Sequence, residues 1–494
     1  MFNTTQTMSK IVWINSLDLI FLKGKRLFRN AFAPLLITMT LSSTNMIAQI
    51  NNYENLPSGL SSRSNNSISL YMINEGNTEK NYWLPAIEII GLNLGVGAFN
   101  TYITNEEFAK ISWKTIGDNF KTGFVWDEDP FLTNQFMHPF HGAAYFNSAR
   151  SNGLGFWESA PYALFGSFMW EFFMENEPPS YNDIVNTPVT GIILGEISYR
   201  VSNLIIDEST TGAERVVREL SSTIINPMQG FNRLIRGDMW KLGKSNTKNN
   251  FDIDLSLGAH NLLLDNRFDQ SKTYLMMRVN MDYGNKFDVD ANKKPFDYFS
   301  LHTEVNAGPD DNIVGILASG VLWDNHLDLF KTSQNMIGIY KEIDILINNV
   351  YKLSASSATG QIINTIPITA GLRMENFLGI SAILMGATNS DYAAEYDKDH
   401  KIGPGASAKA GIRLLFEDLG NIHVNYKRYW IHTLSGQDSE QFVGLLNAGV
   451  GVNISDNVSI GLDGLLYERY GEYKYLPDTQ TYNSAIRIYV THRI

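Results

Sequence analysis

The chain has 494 residues, 44 % of them hydrophobic, which is ordinary for a soluble protein and too low for a polytopic helical membrane protein. A membrane barrel is compatible with that figure, because its strands alternate apolar residues with polar ones. The formal charge of −12, with Lys and Arg scattered, argues against nucleic acid as a partner. The absence of cysteine excludes disulfide scaffolds, thiol catalysis and Cys-based zinc sites.

Lys23, Lys25, Arg26 and Arg29 precede an apolar run from Ala31 to Leu41, then Ser42 to Ala48 and Gln49. A basic region, a short apolar core and a small residue before a polar start form a secretory signal, here residues 1–48. The core is shorter than the roughly 20 residues of a spanning helix. An amphipathic N-terminal anchor is the alternative, and Met8 is an alternative start. Residues 49–80, with Ser61 to Ser67 nearly all Ser and Asn, read as a disordered linker.

Residues 81–248 read as a helical module. A long apolar helix is expected over Phe156 to Glu175, with Ser167, Glu171 and Glu175 on one face. Thr187 as cap and Pro188 at the first helical position predict a second helix running to about Ile206. Its polar stripe is Glu196, Arg200, Asn203 and Asp207. A third helix, Ala213 to Ile224, ends before Asn226-Pro227. None offers 18 uninterrupted apolar residues, so transmembrane helices are not expected.

From Phe251 the period changes from 3.6 to 2. Phe251, Ile253, Leu255, Leu257 and Ala259 alternate with polar residues or glycine. The pattern recurs from Leu275 to Tyr283, Phe299 to Ala307, Ala406 to Phe416, Phe442 to Val452 and Val458 to Leu462. Intervening positions include Arg278, His302, Glu304, Lys409 and Arg413. A β-sandwich alternates likewise, but many of these strands are long enough to cross a bilayer at a tilt. The final strand carries Ile486, Ile488 and Val490 and stops on Ile494, as outer-membrane barrels commonly do. The expectation is a membrane β-barrel of about 12 antiparallel strands over residues 249–494, an even number being usual. The plentiful glycine and aromatic residues suit it.

The chemistry-bearing stretch is Asn134 to Asp207. The runs HPFHGAAYFNSARSNG, GSFMWEFF, EPPSYND, TPVTGIILGE and NPMQGFNRL resemble the domain-of-unknown-function 3943 family of Gram-negative bacteria, over about Trp113 to Arg236. The resemblance extends to MGATNSDY, IGPG and YKRYWIHTLSG in the barrel. It implies an exported barrel protein with no assigned activity, and it transfers no catalytic residues. The polar residues of these motifs are His138, His141, Tyr145, Asn147, Arg150, Glu158, Glu171, Ser180, Asn182, Asp183, Glu196 and Arg200.

Several chemistries are open to them. His138 and His141 can approach one metal with Glu158, Glu171 or Glu196 as third ligand, unless Pro139 breaks the helix and leaves both in a loop. His141 with Ser148 or Ser180 and Asn147 or Asp183 can form a lipid-ester hydrolase set, though no nucleophile elbow supports it. A carboxylate in an apolar helix needs a partner or water. Glu171, Glu175 and Glu196 therefore point to helices in the polar lumen or at its periplasmic mouth. There the stripe from Glu196 to Asp207 would meet inward Arg278, Lys409, Arg413 or Lys427. Aromatic residues from Trp157 to Phe173 read as core before they read as a lipid-facing surface. Gly191 and Gly195 allow close helix packing, and the turn Pro309 to Asn312 is a solvated turn before it is a calcium loop.

The leading reading is an outer-membrane barrel with a helical plug, structural or transporting. The alternatives are an enzyme acting on lipid or lipopolysaccharide through His138 to Glu196, and a scaffold docking a periplasmic protein. The candidate catalytic residues are His138, His141, Ser148, Glu171, Asp183 and Glu196. No cofactor and no resident metal are expected. Outer-membrane lipid is the expected surrounding.

Overall fold

A computed structural model describes residues 79–127, 129–243, 251–288, 293–309, 312–328, 332–393 and 399–494. The expected signal (1–48) and nearly all of the expected linker lie outside the described residues, as do Asp310 and Asp311 of the acidic turn. The described chain forms two compact units. One comprises residues 79–200 together with everything from 251 onward, and the other residues 201–243.

Twelve strands close into one antiparallel barrel, each paired with its sequence neighbours and the last with the first. They are β1 (Phe251–Leu263), β2 (Ser271–Tyr283), β3 (Phe299–Ala307), β4 (Ile313–His326), β5 (Gln334–Ile347) and β6 (Lys352–Thr369). The circle continues through β7 (Leu372–Asn389), β8 (His400–Phe416), β9 (Gly420–His432), β10 (Ser439–Ser455), β11 (Val458–Tyr473) and β12 (Thr479–Arg493). We call the rim where β1 begins and β12 ends the terminal rim, and the opposite one the far rim.

Ion pairs between strands that are not neighbours show which side chains point inward. Lys409 on β8 meets Glu342 on β5, and Lys427 on β9 meets Asp344 on β5 at 2.5 Å. Arg278 on β2 reaches Asp463 on β11, and Arg487 on β12 reaches Glu304 on β3 at 2.6 Å. Such contacts exist only across a lumen, so the alternate positions point outward. Every apolar set picked out by the period of two lies on that outward face. Leu257, Leu275, Ile412, Val450, Leu462 and Ile488 are exposed there, forming the apolar band of a membrane-type barrel.

Side chains crowd the lumen at three levels, while inward His302 and Arg413 stay exposed. Toward the far rim Leu262, Tyr351, Leu353, Tyr429, Val443 and Tyr467 pack as an apolar layer. The charged pairs form the middle layer. Toward the terminal rim Tyr340, Val321 and Ile363 pack with Phe287, Tyr298 and Phe377.

The helices are α1 (Leu84–Phe99, continued by a π-helical turn to Thr104), α2 (Trp113–Thr122), α3 (His138–Ser151), α4 (Phe156–Phe173) and α5 (Tyr181–Ile205). α6 (Gly212–Ile225) and α7 (Pro227–Arg236) complete them, joined through Asn226, which caps α7 by accepting from the Gln229 amide. Three expectations are corrected. Pro139 does not break the helix: a π-helical turn over Thr133–Met137 runs directly into α3, and Pro139 sits at its second position. α5 begins at Tyr181, seven residues before Pro188, since Ser180 supplies the cap through its hydroxyl to the Asp183 amide. Leu84–Thr104, unremarked in the sequence, is long and apolar enough to cross a membrane.

The helices do not plug the barrel through the contacts seen. Phe131, ahead of α3, packs on Met385, Ala387, Ile402 and Ile347, all outward positions near the far rim. Arg200 of α5 donates to Asp297 and Pro295 in the β2–β3 loop and lies over outward Tyr283 at the terminal rim. Between these points outward Ile316, Ala318, Ile343, Ile345 and Ser356 are buried, whereas outward Leu257, Ile412, Leu462 and Ile488 on other strands are bare. The helices of the larger unit, up to Arg200, lie along the outer wall of β4–β6. The physical reason is that Arg278, Lys409, Lys427 and Arg487 in the lumen are already paired with barrel carboxylates, so they do not call for a helix.

Candidate functional site

α3, α4 and α5 pack up-down-up, so α3 and α5 run in the same direction. They approach to backbone contact, for a Cβ on Gly191 would lie 2.6 Å from the carbonyl carbon of Gly142. This parallel pair carries two buried polar nodes, one at each end. The twelve residues from His138 to Arg150 put them about 18 Å apart.

The first node lies by the far rim. The segment before α3 pairs with the start of α5 through Val125, whose amide donates to Pro179 and whose carbonyl accepts from the Tyr181 amide. That pairing brings Asp127 against Asn182, which donates to it at 2.7 Å, and Asn134 donates to it at 3.0 Å. His138 Nε2 stands 3.3 Å from Asp129 and 3.7 Å from Asp183. Glu171, at the end of α4, accepts from the Ser180 amide at 2.8 Å, adding a carboxylate to the N-terminus of α5. Asn134 also meets His400 of β8, tying the node to the barrel. Burial pushes the Asp127 carboxyl up, but hydrogen bonds from Asp183, Asn134, Ser180 and Asn182 outweigh it and hold it well below the ordinary range. Just beyond α4, burial and then the charge of Glu171 push Glu175 well up, against the Trp170 indole that donates to it.

The second node is built on Glu196, which is wholly buried. It accepts from Arg150 at 2.8 and 3.1 Å and from Arg200 at 2.8 Å. Arg150 also donates to the Leu154 carbonyl and stacks over Tyr199, 4.2 Å from its centroid. Close by, Ser148 donates to Glu88 of α1 at 2.5 Å, and Asn152 donates to the same carboxylate.

The sequence candidates are thus divided. His138, Glu171, Ser180, Asn182 and Asp183 converge in the first node, and Arg150, Glu196 and Arg200 in the second. His141 joins neither; it lies against Tyr145 and Trp170, and its buried Nε2 has no hydrogen-bond partner among the described residues. The hydrolase set does not assemble, because Ser148 is taken by Glu88 and Ser180 by its capping role. Nor do the two histidines share a metal position, and among the described residues no three His, Asp or Glu are grouped to hold an ion. Tyr145 donates to Asn93 of α1, and Asn147 donates to Ser198. Glu158 sits apart, accepting from Gly155, Lys80 and Tyr82 at the start of α4. Glu196 and Arg200 of the expected stripe meet none of Arg278, Lys409, Arg413 or Lys427; Arg278, Lys409 and Lys427 have barrel carboxylates as partners.

Asp127, Asp129, Asn134 and Glu88 were missed as site residues. Glu88 stands alone in an apolar helix, the same signal that marks Glu171. The acidic run at Asp127 and Asp129 lies only a few residues before the stretch that was singled out.

Residues 123–228 match the model of a family described as Domain of unknown function (DUF3943), the family that the motifs resemble. The matched span contains the acid-histidine cluster and the Arg150–Glu196–Arg200 group. Comparison with curated proteins finds no match. Among solved structures, the NanC porin is similar at 8 % identity and TM-score 0.29, covering 49 % of this chain and 100 % of the porin. An outer membrane channel from Pseudomonas putida F1 is similar at 7 % identity and TM-score 0.28, covering 50 % of this chain and 97 % of the channel. The outer membrane protein Omp33 of Acinetobacter baumannii is similar at 10 % identity and TM-score 0.22, covering 49 % of this chain and 98 % of its own.

Proposed function

We propose that this protein is an outer-membrane β-barrel with a structural, non-conducting lumen, which anchors the helical module and its two polar nodes. The observation that carries this reading is the layering of the lumen: apolar layers flank a middle layer of ion pairs that join opposite walls. A conducting barrel needs a continuous aqueous path, and side chains that bridge opposite walls at these levels oppose one. The even strand number and the bare apolar band support the outer membrane as the location. In such barrels the short turns face the periplasm; the shortest here, β6–β7, β8–β9 and β10–β11, lie on the terminal rim, so in this reading the His138 node faces the outer leaflet. Planar-bilayer recording of the folded protein tests the reading. No conductance steps are expected; stepwise, porin-like openings would overturn it.

The second reading is an enzyme acting on lipid headgroups, and one observation favours it. His138 stands between Asp129 and Asp183, an arrangement suited to general acid-base chemistry, and the Asp129 side chain is partly exposed. Mass spectra of outer-membrane lipids from cells carrying the wild type or His138→Gln decide the matter. Loss of one lipid species with the barrel intact supports the enzyme, and identical spectra remove it.

A further inference from the structure

We infer that the helical module is itself embedded in lipid, seated in the bilayer against the barrel's outer wall, with hydrocarbon as the occupant of its apolar face. This rests on the reading of the barrel as a membrane barrel.

The module buries charged and amide side chains among apolar ones such as Ile89, Phe146 and Ile193, and leaves a bare apolar face outside. Its interior holds Asn93, Asn147, Arg150, Glu171, Glu196 and Arg200, all buried. Its exterior shows Ile87, Leu94 and Phe99 of α1 and Leu164, Phe165 and Phe168 of α4, all exposed. Water selects the opposite distribution. In hydrocarbon polar groups must find partners inside; Glu196 does so through Arg150 and Arg200, and Asp127 through Asn134 and Asn182.

Place and length agree. The helices lie on outward-facing strand positions, so the bare faces of α1 and α4 continue the apolar band that Ile412, Leu462 and Ile488 display elsewhere on the same wall. Leu84–Thr104 has 21 residues. At the α-helical rise that is about 31 Å, against a hydrocarbon core of about 30 Å. Exposed aromatic residues gather at its two ends, Trp83 and Trp157 at one and Tyr102 and Trp113 at the other, as at a membrane interface.

The unit of residues 201–243, considered by itself, repeats the pattern. Between α6 and α7, Arg233 bridges Glu219 and Glu208, while Arg215 pairs with Glu219. Outside, Val216, Leu220, Ile224, Phe231, Leu234 and Ile235 are exposed. At 14 and 10 residues these helices are too short to span, and the interface is where such a hairpin fits.

The chain contains no cysteine, so single reporters can be placed cleanly. Leu94→Cys and Phe168→Cys report on the module at side chains 54 % and 40 % exposed; Ile488→Cys, at 56 %, reports on the barrel band, and Asp456→Cys reports on a rim turn. Each full-length variant is labelled with bimane in liposomes and quenched with brominated phospholipid or with aqueous iodide. Leu164→Cys replaces either module reporter that fails to give the heat-shifted, folded band. The expected result is lipid quenching at 94 and 168 equal to that at 488, with iodide effective only at 456. Iodide quenching at 94 and 168 would place the module in water and overturn the inference. Protection from both quenchers, with disulfides forming between copies, would assign the face to a second copy and overturn it equally. Absence of lipid quenching at 488 would instead show that the barrel reading has failed, and the inference with it.

Discussion

Glu196 accepts hydrogen bonds from two arginines at a site with no access to solvent. A buried ion group contributes little net stability, but breaking it strands charge, at a cost of about 3–5 kcal/mol. Glu196→Ala leaves Arg150 and Arg200 buried together, so we predict selective loosening of the helical module. Limited proteolysis should cleave between α3 and α5 at lower temperature than in the wild type, with the barrel's heat-shifted band unchanged. At the other node the decisive group is Glu175. Its carboxyl, ordinarily near 4.5, is held well above that by burial and by Glu171. A carboxyl with a raised folded pKa contributes no penalty below its ordinary value and destabilises progressively as the pH rises toward the folded one. Gln keeps the acceptor for Trp170 and cannot ionise. Glu175→Gln should therefore raise the temperature of module proteolysis at pH 8 and leave it unchanged at about pH 4, the ordinary carboxylate range. An equal gain at both values would show that ionisation of Glu175 is not the cause.

At the scale of elements, the strands were legible because a period of two survives burial on one face only, and each apolar set from Phe251 to Leu462 indeed lies outward. The helix starts were less legible. Pro139 and Pro188 were each weighed as local signals, and each was overridden. Pro139 follows directly on a π-helical turn, while α5 gains about two turns from the Ser180 cap and from Glu171 across the α4–α5 turn. Gly191 and Gly195 were read as weak evidence for close packing; their weight became visible only with α3 in place. A Cβ at Gly191 meets the backbone of Gly142 and Ala143, whereas one at Gly91 of α1 meets nothing within 4 Å. We predict that Gly191→Ala destabilises the module by about 1–3 kcal/mol through overpacking against backbone that cannot yield. Gly91→Ala should be neutral or stabilise by up to about 1 kcal/mol, since it only removes backbone freedom. Protection of the module from protease, measured for the two variants side by side, checks the contrast.

At the scale of the whole molecule, periodicity identified which strand residues share a face but not what neutralises the polar one. Arg278, Lys409 and Lys427 needed carboxylates, and α5 offered a stripe of them, so a plug was the natural expectation. The registers of twelve strands decide otherwise, because only the closed barrel shows that β5 faces β8 and β9 across the lumen. Asp344 then lies 2.5 Å from Lys427, and no helix is required. The same closure makes the seal redundant, since the apolar layer around Tyr351, Tyr429 and Tyr467 and the layer around Tyr340 and Phe377 stand on either side of the ion pairs. Lys427→Ala strands Asp344 in the middle layer, at a cost of about 3–5 kcal/mol. We predict a lower temperature for the heat-dependent gel shift, with bilayers that remain electrically silent. Conductance steps from this one substitution would mean that the flanking aromatic layers do not close the lumen. The barrel would then be a gated path instead of an anchor, held shut by its ion pairs alone.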